Sequence, residues 1–256
     1  SMARVDPEAV EFGPFLVVFI GGGVLTFFGA FAVARWIYGA RGVNGLMFGV
    51  NATYGNTGYM GIPLAFAAFG EAGGVLTVIA TVSHALVWLP ISIVALESAK
   101  PTDNRPGAKL KAVISGVIRN PMLMAPVAGI VWSLSGFDLP TPVDAFCSLL
   151  GAAAGPCALF SIGLFLVGKP VSEGMGEVGA MVAFKLVVFP LVVAGLAFGV
   201  VELPPLPTAV ALLLAASPTG ATCFVLAQNY ATFVQRSSSV ILVSTGVAVV
   251  TVSVLF

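Results

Sequence analysis

Charge is the property this sequence has least of. Only 11 basic and 11 acidic side chains occur among 256 residues, and they cancel to a formal net charge of zero. No basic block with interleaved aromatic residues is present, which excludes nucleic acid as a partner. The three cysteines and the single histidine form no disulfide or metal-ligand pattern, so we expect neither a metal nor another cofactor.

Apolar residues make up most of what is there. They account for 58% of the chain, and its mean hydropathy of +1.05 lies outside the range of soluble domains. A helix of about 20 apolar residues crosses the hydrocarbon core of a bilayer while satisfying its own backbone hydrogen bonds. The sequence therefore predicts an all-α integral membrane protein, embedded in the lipid bilayer. Its eight predicted spans are 12–36, 45–69, 73–96, 113–134, 143–167, 178–200, 208–230 and 237–256.

Basic residues indicate how the chain is oriented. If successive loops alternate between the two sides of the membrane, nearly all of the lysines and arginines fall on one side, which the positive-inside rule makes cytoplasmic. We therefore expect a multi-pass protein of the cell inner (plasma) membrane, with loop 98–112 in the cytoplasm and the N-terminus of the chain outside. The residues of this set are Arg35, Arg41, Lys100, Arg105, Lys109, Lys111, Lys169 and Arg236.

Two of the predicted spans contain helix-breaking sequence. Span 45–69 holds three glycines, two asparagines and Pro63 between positions 51 and 63, and span 208–230 holds Ser-Pro-Thr-Gly around Pro218. Proline lacks the N–H that a helix interior needs, and glycine permits unwound backbone. Both spans are predicted to be discontinuous, with Pro63 and Pro218 at the start of new half-helices, where a missing donor costs least.

The two broken spans occupy matching places in the chain. The polar stretch 98–112 separates residues 1–97, which hold three spans, from residues 113–256, which hold five. Each broken span is the penultimate one of its half. We interpret the halves as repeats of five helices, with two helices expected before residue 1. Because five is odd, the repeats would be inverted, as in many secondary transporters that bind substrate near the midplane.

A pair of broken helices at the midplane favours an anion. The first N–H groups of each half-helix have no partner within the helix, and the helix dipole places partial positive charge there. No residue is predicted to be catalytic. For Asn56, a hydrogen bond that merely repairs the broken backbone remains an alternative to binding substrate. The candidate substrate-binding residues are Asn56, Thr57, Gly58, Pro63, Lys185, Ser217, Pro218, Thr219, Gly220 and Thr222.

Two ionisable residues lie within predicted spans. Lys185 either reaches back to the cytoplasmic interface or places a fixed positive charge beside the crossing helices, where it would help to hold an anion. His84 is either a proton relay or a side chain hydrogen-bonded to a neighbouring span.

Several motifs together resemble the auxin efflux carrier family. Residues 56–64, Asn-Thr-Gly-Tyr-Met-Gly-Ile-Pro-Leu, closely resemble the crossover motif of that family. Further matches follow in order along the chain, at Arg-Asn-Pro (119–121), Leu-Phe-Ser-Ile-Gly (159–163), 185–190 and 216–230. Together the motifs cover almost the whole chain.

The resemblance implies ten helices in two inverted repeats, with the fourth and ninth helices crossing as in sodium/proton antiporters and bile-acid symporters. It also implies that Asn56 binds substrate, and it is compatible with a homodimer. Bacterial members are described as permeases for small carboxylates such as malonate or malate, and plant members export the auxin anion. Met122 stands where plant carriers have asparagine, so an auxin-like substrate is not expected.

The resulting hypothesis is a transporter and not an enzyme. It would be a permease or efflux carrier that moves a small mono- or dicarboxylate by alternating access. A sodium- or proton-coupled symporter of the same fold is one alternative, and a non-transporting membrane receptor or assembly subunit is another. Adjacent Ser83 and His84 do not make a hydrolase, because neighbours in sequence point to different faces of a helix.

Overall fold

The computed structural model describes residues 12–99, 108–119, 124, 128–129, 131–132, 135, 139–167 and 174–255. Within these ranges the chain is helical and forms no strand longer than one isolated bridge. Two π-helical segments, Thr57–Gly61 and Phe184–Val188, adjoin α-helices. The α-helices are α1 (Phe12–Trp36), α2 (Val43–Thr53), α3 (Ile62–Ala99), α4 (Ala108–Ile118), α5 (Thr141–Leu166), α6 (Met175–Ala183), α7 (Phe189–Gly199), α8 (Pro205–Ala216), α9 (Thr222–Asn229) and α10 (Val234–Leu255).

The helices match the predicted spans closely where they are described. Helix α1 coincides with span 12–36, and α5 coincides with span 143–167 to within two residues. Span 113–134 is described only in part, and Met122 lies outside the described residues. Among the described residues, three helices are long and apolar enough to cross a membrane by length and composition, namely Phe12–Trp36, Thr57–Ala99 and Met175–Gly199.

A sharp turn at Gly70 divides α3 into two spans. The backbone there has φ 67°, a left-handed conformation that glycine adopts without a steric penalty. Beyond the turn, Gly73 and Gly74 pack against the side chains of Phe69 and Phe66, with no room for a Cβ atom. Predicted spans 45–69 and 73–96 are therefore separated as expected, by a kink at which two helices meet.

The buried core forms three layers along the length of the helices. One layer joins the end of α1 to α2, the end of α3, α6, α9 and α10. The opposite layer joins the start of α1 to residues 76–80, α7 and α8. The third layer contains Tyr54, Trp88 and Cys223 and lies where α2 meets α9. The two helix breaks thus lie in the middle of the bundle.

One end of the bundle gathers several of the basic side chains. The Tyr38 hydroxyl donates to the carbonyl of Gly176 at 2.9 Å, which joins the end of α1 to the start of α6. Arg236, at the start of α10, forms an ion pair with Glu177 at 2.9 Å. These contacts bring Arg35 and Arg236 to the same end of the bundle, as the loop assignment predicts.

Close packing of α1 against α7 generates a stability prediction. A Cβ atom at Gly22 would lie 2.8 Å from Cγ2 of Val193, whereas one at Gly21 would have no neighbour within 4 Å. Gly22→Leu should destabilise the fold by about 1–3 kcal/mol through overpacking. The matched control, Gly21→Leu, should leave the thermal unfolding midpoint of detergent-solubilised protein unchanged. Equal unfolding midpoints for the two variants would contradict this packing.

Candidate functional site

The two helix breaks cross and pair with each other. Residues 54–56 follow α2, residues 217–220 follow α8, and Gly55 and Thr219 form an antiparallel bridge. The Asn56 N–H donates to the Pro218 carbonyl at 2.7 Å, and the Gly220 N–H donates to the Tyr54 carbonyl at 2.9 Å. Each break therefore satisfies backbone groups of the other, which an unwound segment inside a bilayer requires. We call this arrangement the crossover.

Glycine is needed in the crossover because the two backbones approach closely. A Cβ atom at Gly55 would lie 2.7 Å from the Ser217 Oγ and 3.3 Å from the Lys185 Nζ. One at Gly220 would lie 3.0 Å from the Gly55 carbonyl oxygen. Neither glycine has a positive φ, so it is the absence of a side chain, and not conformational freedom, that these positions use.

The register of the bridge corrects the expected role of the prolines. Because Asn56 and Gly220 make equivalent hydrogen bonds, the structural counterpart of Pro218 is Tyr54 and not Pro63. The half-helix after the first break begins at Thr57 as a π-helical turn, six residues before Pro63, and Pro218 lies in the extended segment before α9. Neither proline starts a half-helix. Gly55 and Asn56 already break the first span, so that break needs no proline.

The C-terminal ends of α2 and α8, the half-helices that precede the two breaks, accept side-chain hydrogen bonds. The Thr219 Oγ1 donates to the Asn51 carbonyl in the last turn of α2 at 2.9 Å. The Lys185 Nζ donates to the Ala215 carbonyl in the last turn of α8 at 2.6 Å. A cation is favourable there, since the helix dipole places partial negative charge at a C-terminus. The Thr219 N–H in turn donates to the Ser244 Oγ on α10 at 3.1 Å.

Lys185 lies at the crossover and not at an interface. Its side chain is fully buried, and it belongs to the π-helical segment that interrupts the span formed by α6 and α7. The ammonium group is 4.8 Å from the centroid of the Phe189 ring. Among the described residues no carboxylate pairs with it. The interpretation in which Lys185 reaches back to the cytoplasmic interface is therefore wrong.

The other predicted site residues divide by burial. Thr57, Ser217, Pro218, Thr219 and Gly220 are buried in the bundle. Asn56, Gly58 and Thr222 are half-buried, and Pro63 is exposed and takes no part in the crossover. Within the described part of the chain, the Asn56 side chain forms no hydrogen bond, so the interpretation in which it repairs the broken backbone lacks support.

His84 packs against Tyr54 of the crossover. Its ring is 4.8 Å from that of Tyr54 and 5.3 Å from that of Phe19, and both of its nitrogens are buried. The expected hydrogen bond to a neighbouring span is not formed within the described residues, where neither nitrogen has a partner.

Sequence reasoning missed two residues that build the crossover. Gly55, at the crossing point itself, could have been found from the rule that glycine marks close backbone approach. Ser244 accepts the Thr219 N–H from a different helix, and no local pattern indicates that contact.

Substitution of Gly55 tests the close approach. Gly55→Ala should lower stability by about 1–3 kcal/mol, because the new methyl group would collide with Ser217 beside a fully buried lysine. Gly58→Ala is the control, since its Cβ would make an ordinary 3.7 Å contact with Thr81. Thermal unfolding of the two purified variants measures the difference, and a midpoint for Gly55→Ala as high as that of Gly58→Ala would refute the proposed geometry.

Comparison with known proteins gives consistent matches. The family model described as "Membrane transport protein" matches residues 9–256. A "Putative malonate transporter" of Rhizobium meliloti (strain 1021) is 28% identical over 253 residues, which are 98% of this chain and 79% of that protein. The "Uncharacterized transporter YfdV" of Escherichia coli (strain K12) is 26% identical over 69% of this chain and 55% of its own length. "Auxin efflux carrier component 3a" of Oryza sativa subsp. japonica is 32% identical over 44% of this chain and 19% of its own length.

Proposed function

Because this chain belongs to the membrane transport protein family, whose members are transporters and not enzymes, we propose that it is a secondary carrier for a small organic anion. The substrate is a mono- or dicarboxylate that binds where the two breaks cross. The name of the Rhizobium relative, which refers to malonate, supports this class of substrate.

The observation that carries the proposal is the unused hydrogen-bonding capacity of the Asn56 side chain. Its side chain is half-buried beside the paired breaks and uses none of its hydrogen-bonding capacity within the described residues. An amide N–H₂ group donates well to a carboxylate. The half-helices that start at Thr57 and Thr222 add partial positive charge next to it. Lys185 adds its buried amino group, a hydrogen-bond donor, to the same crossover.

The wider transport scheme follows from this site. The two crossing spans are the symmetry-related parts of an inverted repeat. Substrate reaches the crossover from each side of the membrane in turn, as the crossover region moves against the remaining helices. The end of the bundle that carries Arg35 and Arg236 faces the cytoplasm. A homodimer is compatible with this arrangement, and the cell inner (plasma) membrane is the proposed location.

Asn56→Ala tests the site directly. Removing the amide should raise the Kd for malonate about 10- to 150-fold, since a hydrogen bond to a charged group contributes about 1.5–3 kcal/mol. Stabilisation of the purified chain against thermal unfolding at increasing malonate concentration measures the Kd. Asn44→Ala, at an exposed asparagine near the start of α2, is the matched control and should bind like the parent chain.

Counterflow of labelled malonate in proteoliposomes then separates binding from transport. The proposal expects saturable exchange that is lost in Asn56→Ala, without a need for sodium or a proton gradient. Binding without exchange would favour a receptor, and exchange that requires sodium would favour a symporter. An equal malonate Kd for Asn56→Ala and Asn44→Ala would remove Asn56 from the site.

A further inference from the structure

One face of the second part of α3 carries a row of polar groups without partners. Within the described residues, no hydrogen bond reaches the Thr81 hydroxyl, either nitrogen of His84, the Trp88 Nε1 or the Ser92 hydroxyl. The spacing places all four side chains on one stripe of the helix. An unsatisfied buried polar group costs about 1–3 kcal/mol, so a row of them requires partners that the described residues do not supply.

The middle of this stripe faces α1 and the crossover, and not lipid. His84 and Trp88 are 1% and 2% exposed, respectively. The Trp88 ring is 5.0 Å from that of Phe27, and its Nε1 would be 3.7 Å from a Cβ atom at Gly23. Because Gly23 has no side chain, this position of α1 leaves the indole N–H uncovered.

The Lys185 ammonium group packs against the same group of rings. His84 contacts the Phe19 ring, which lies 5.8 Å from the Phe189 ring, and the Lys185 Nζ lies over Phe189. The ammonium group has three N–H donors, and one of them is used by the Ala215 carbonyl.

The chemistry of these groups selects an anion. Lys185 and Trp88 offer N–H donors and no acceptor, and neutral His84 offers one donor and one acceptor. A metal cation would be repelled by the ammonium group. A small anion would accept the unused hydrogen bonds and offset the cost of a buried charge that has no carboxylate partner among the described residues.

We propose that His84, Trp88 and Lys185 form a second anion site next to the crossover. This site holds one small anionic group, either a halide ion or a carboxylate. The site differs from that of Asn56, because its three side chains are fully buried whereas Asn56 is half-buried. It rests on the proposed function in one respect, because a carboxylate bound there would belong to the transported substrate. An anion there would bridge α3 and the π-helical segment 184–188, and so link two elements that pack against the crossover.

Fluorescence of Trp88 provides the test. Replacing the other two tryptophans, Trp36→Phe and Trp132→Phe, leaves Trp88 as the sole source of tryptophan fluorescence in the full chain. Bromide is titrated at constant ionic strength, with neutral acrylamide as the comparison quencher. Bromide quenching should saturate, whereas acrylamide quenching should be weak and linear.

Variants in the same background locate the anion. Lys185→Met should abolish the saturable quenching, and His84→Phe should weaken bromide binding at least tenfold. Lys111→Met, at an exposed lysine of α4, is the matched control and should behave like the parent. If Lys185→Met does not fold, as judged by its thermal unfolding, His84→Phe decides the result.

Two results would overturn the second site. One is linear bromide quenching in the parent, and the other is saturable quenching that His84→Phe leaves unchanged. Relief of bromide quenching by malonate identifies a carboxylate as the ligand, and failure of malonate to compete identifies a halide. Asn56→Ala should bind malonate more weakly but keep the saturable bromide quenching. Failure of the proposed function and failure of the second site are therefore distinguishable.

Discussion

The pairing of two unwound segments is the constraint on which the rest of this structure depends. A break within a membrane span leaves backbone groups without partners in a medium that offers none. Here each break supplies the missing partner of the other, through the hydrogen bonds of Asn56 to Pro218 and of Gly220 to Tyr54. The crossing of the spans, the need for glycine at Gly55 and the burial of the neighbouring helices all follow from that exchange.

The crossover also determines where polar side chains are stable in an otherwise apolar bundle. Thr219 and Lys185 each donate to a carbonyl that the end of a half-helix leaves open. A buried lysine is costly in such a place unless the partial negative charge of a helix end and an anion offset its charge. The proposed carrier uses this arrangement by presenting Asn56 and a buried lysine beside the same unwound segment.

Much of this structure follows from local sequence signals. Apolar run length predicts α1 and α5 closely, and glycine with proline predicts where two spans break. The prolines misled the alignment of the breaks, because register is decided by backbone contacts between distant segments and not by residue type. Burial of Lys185 depends likewise on its partner Ala215, which lies 30 positions away. The partial burial of Asn56 follows from the way the whole bundle packs.

Protection of a cysteine at the crossover tests the central claim most directly. In a chain with Cys157→Ser and Cys223→Ala, Thr222→Cys places a thiol on the half-buried first residue of α9, and Cys147 remains as an exposed internal reference. Modification of both thiols by N-ethylmaleimide is followed by mass spectrometry of peptides. Saturating malonate should slow modification at position 222 at least tenfold and leave Cys147 unchanged. Equal rates at position 222 with and without malonate would contradict an anion site at the crossover.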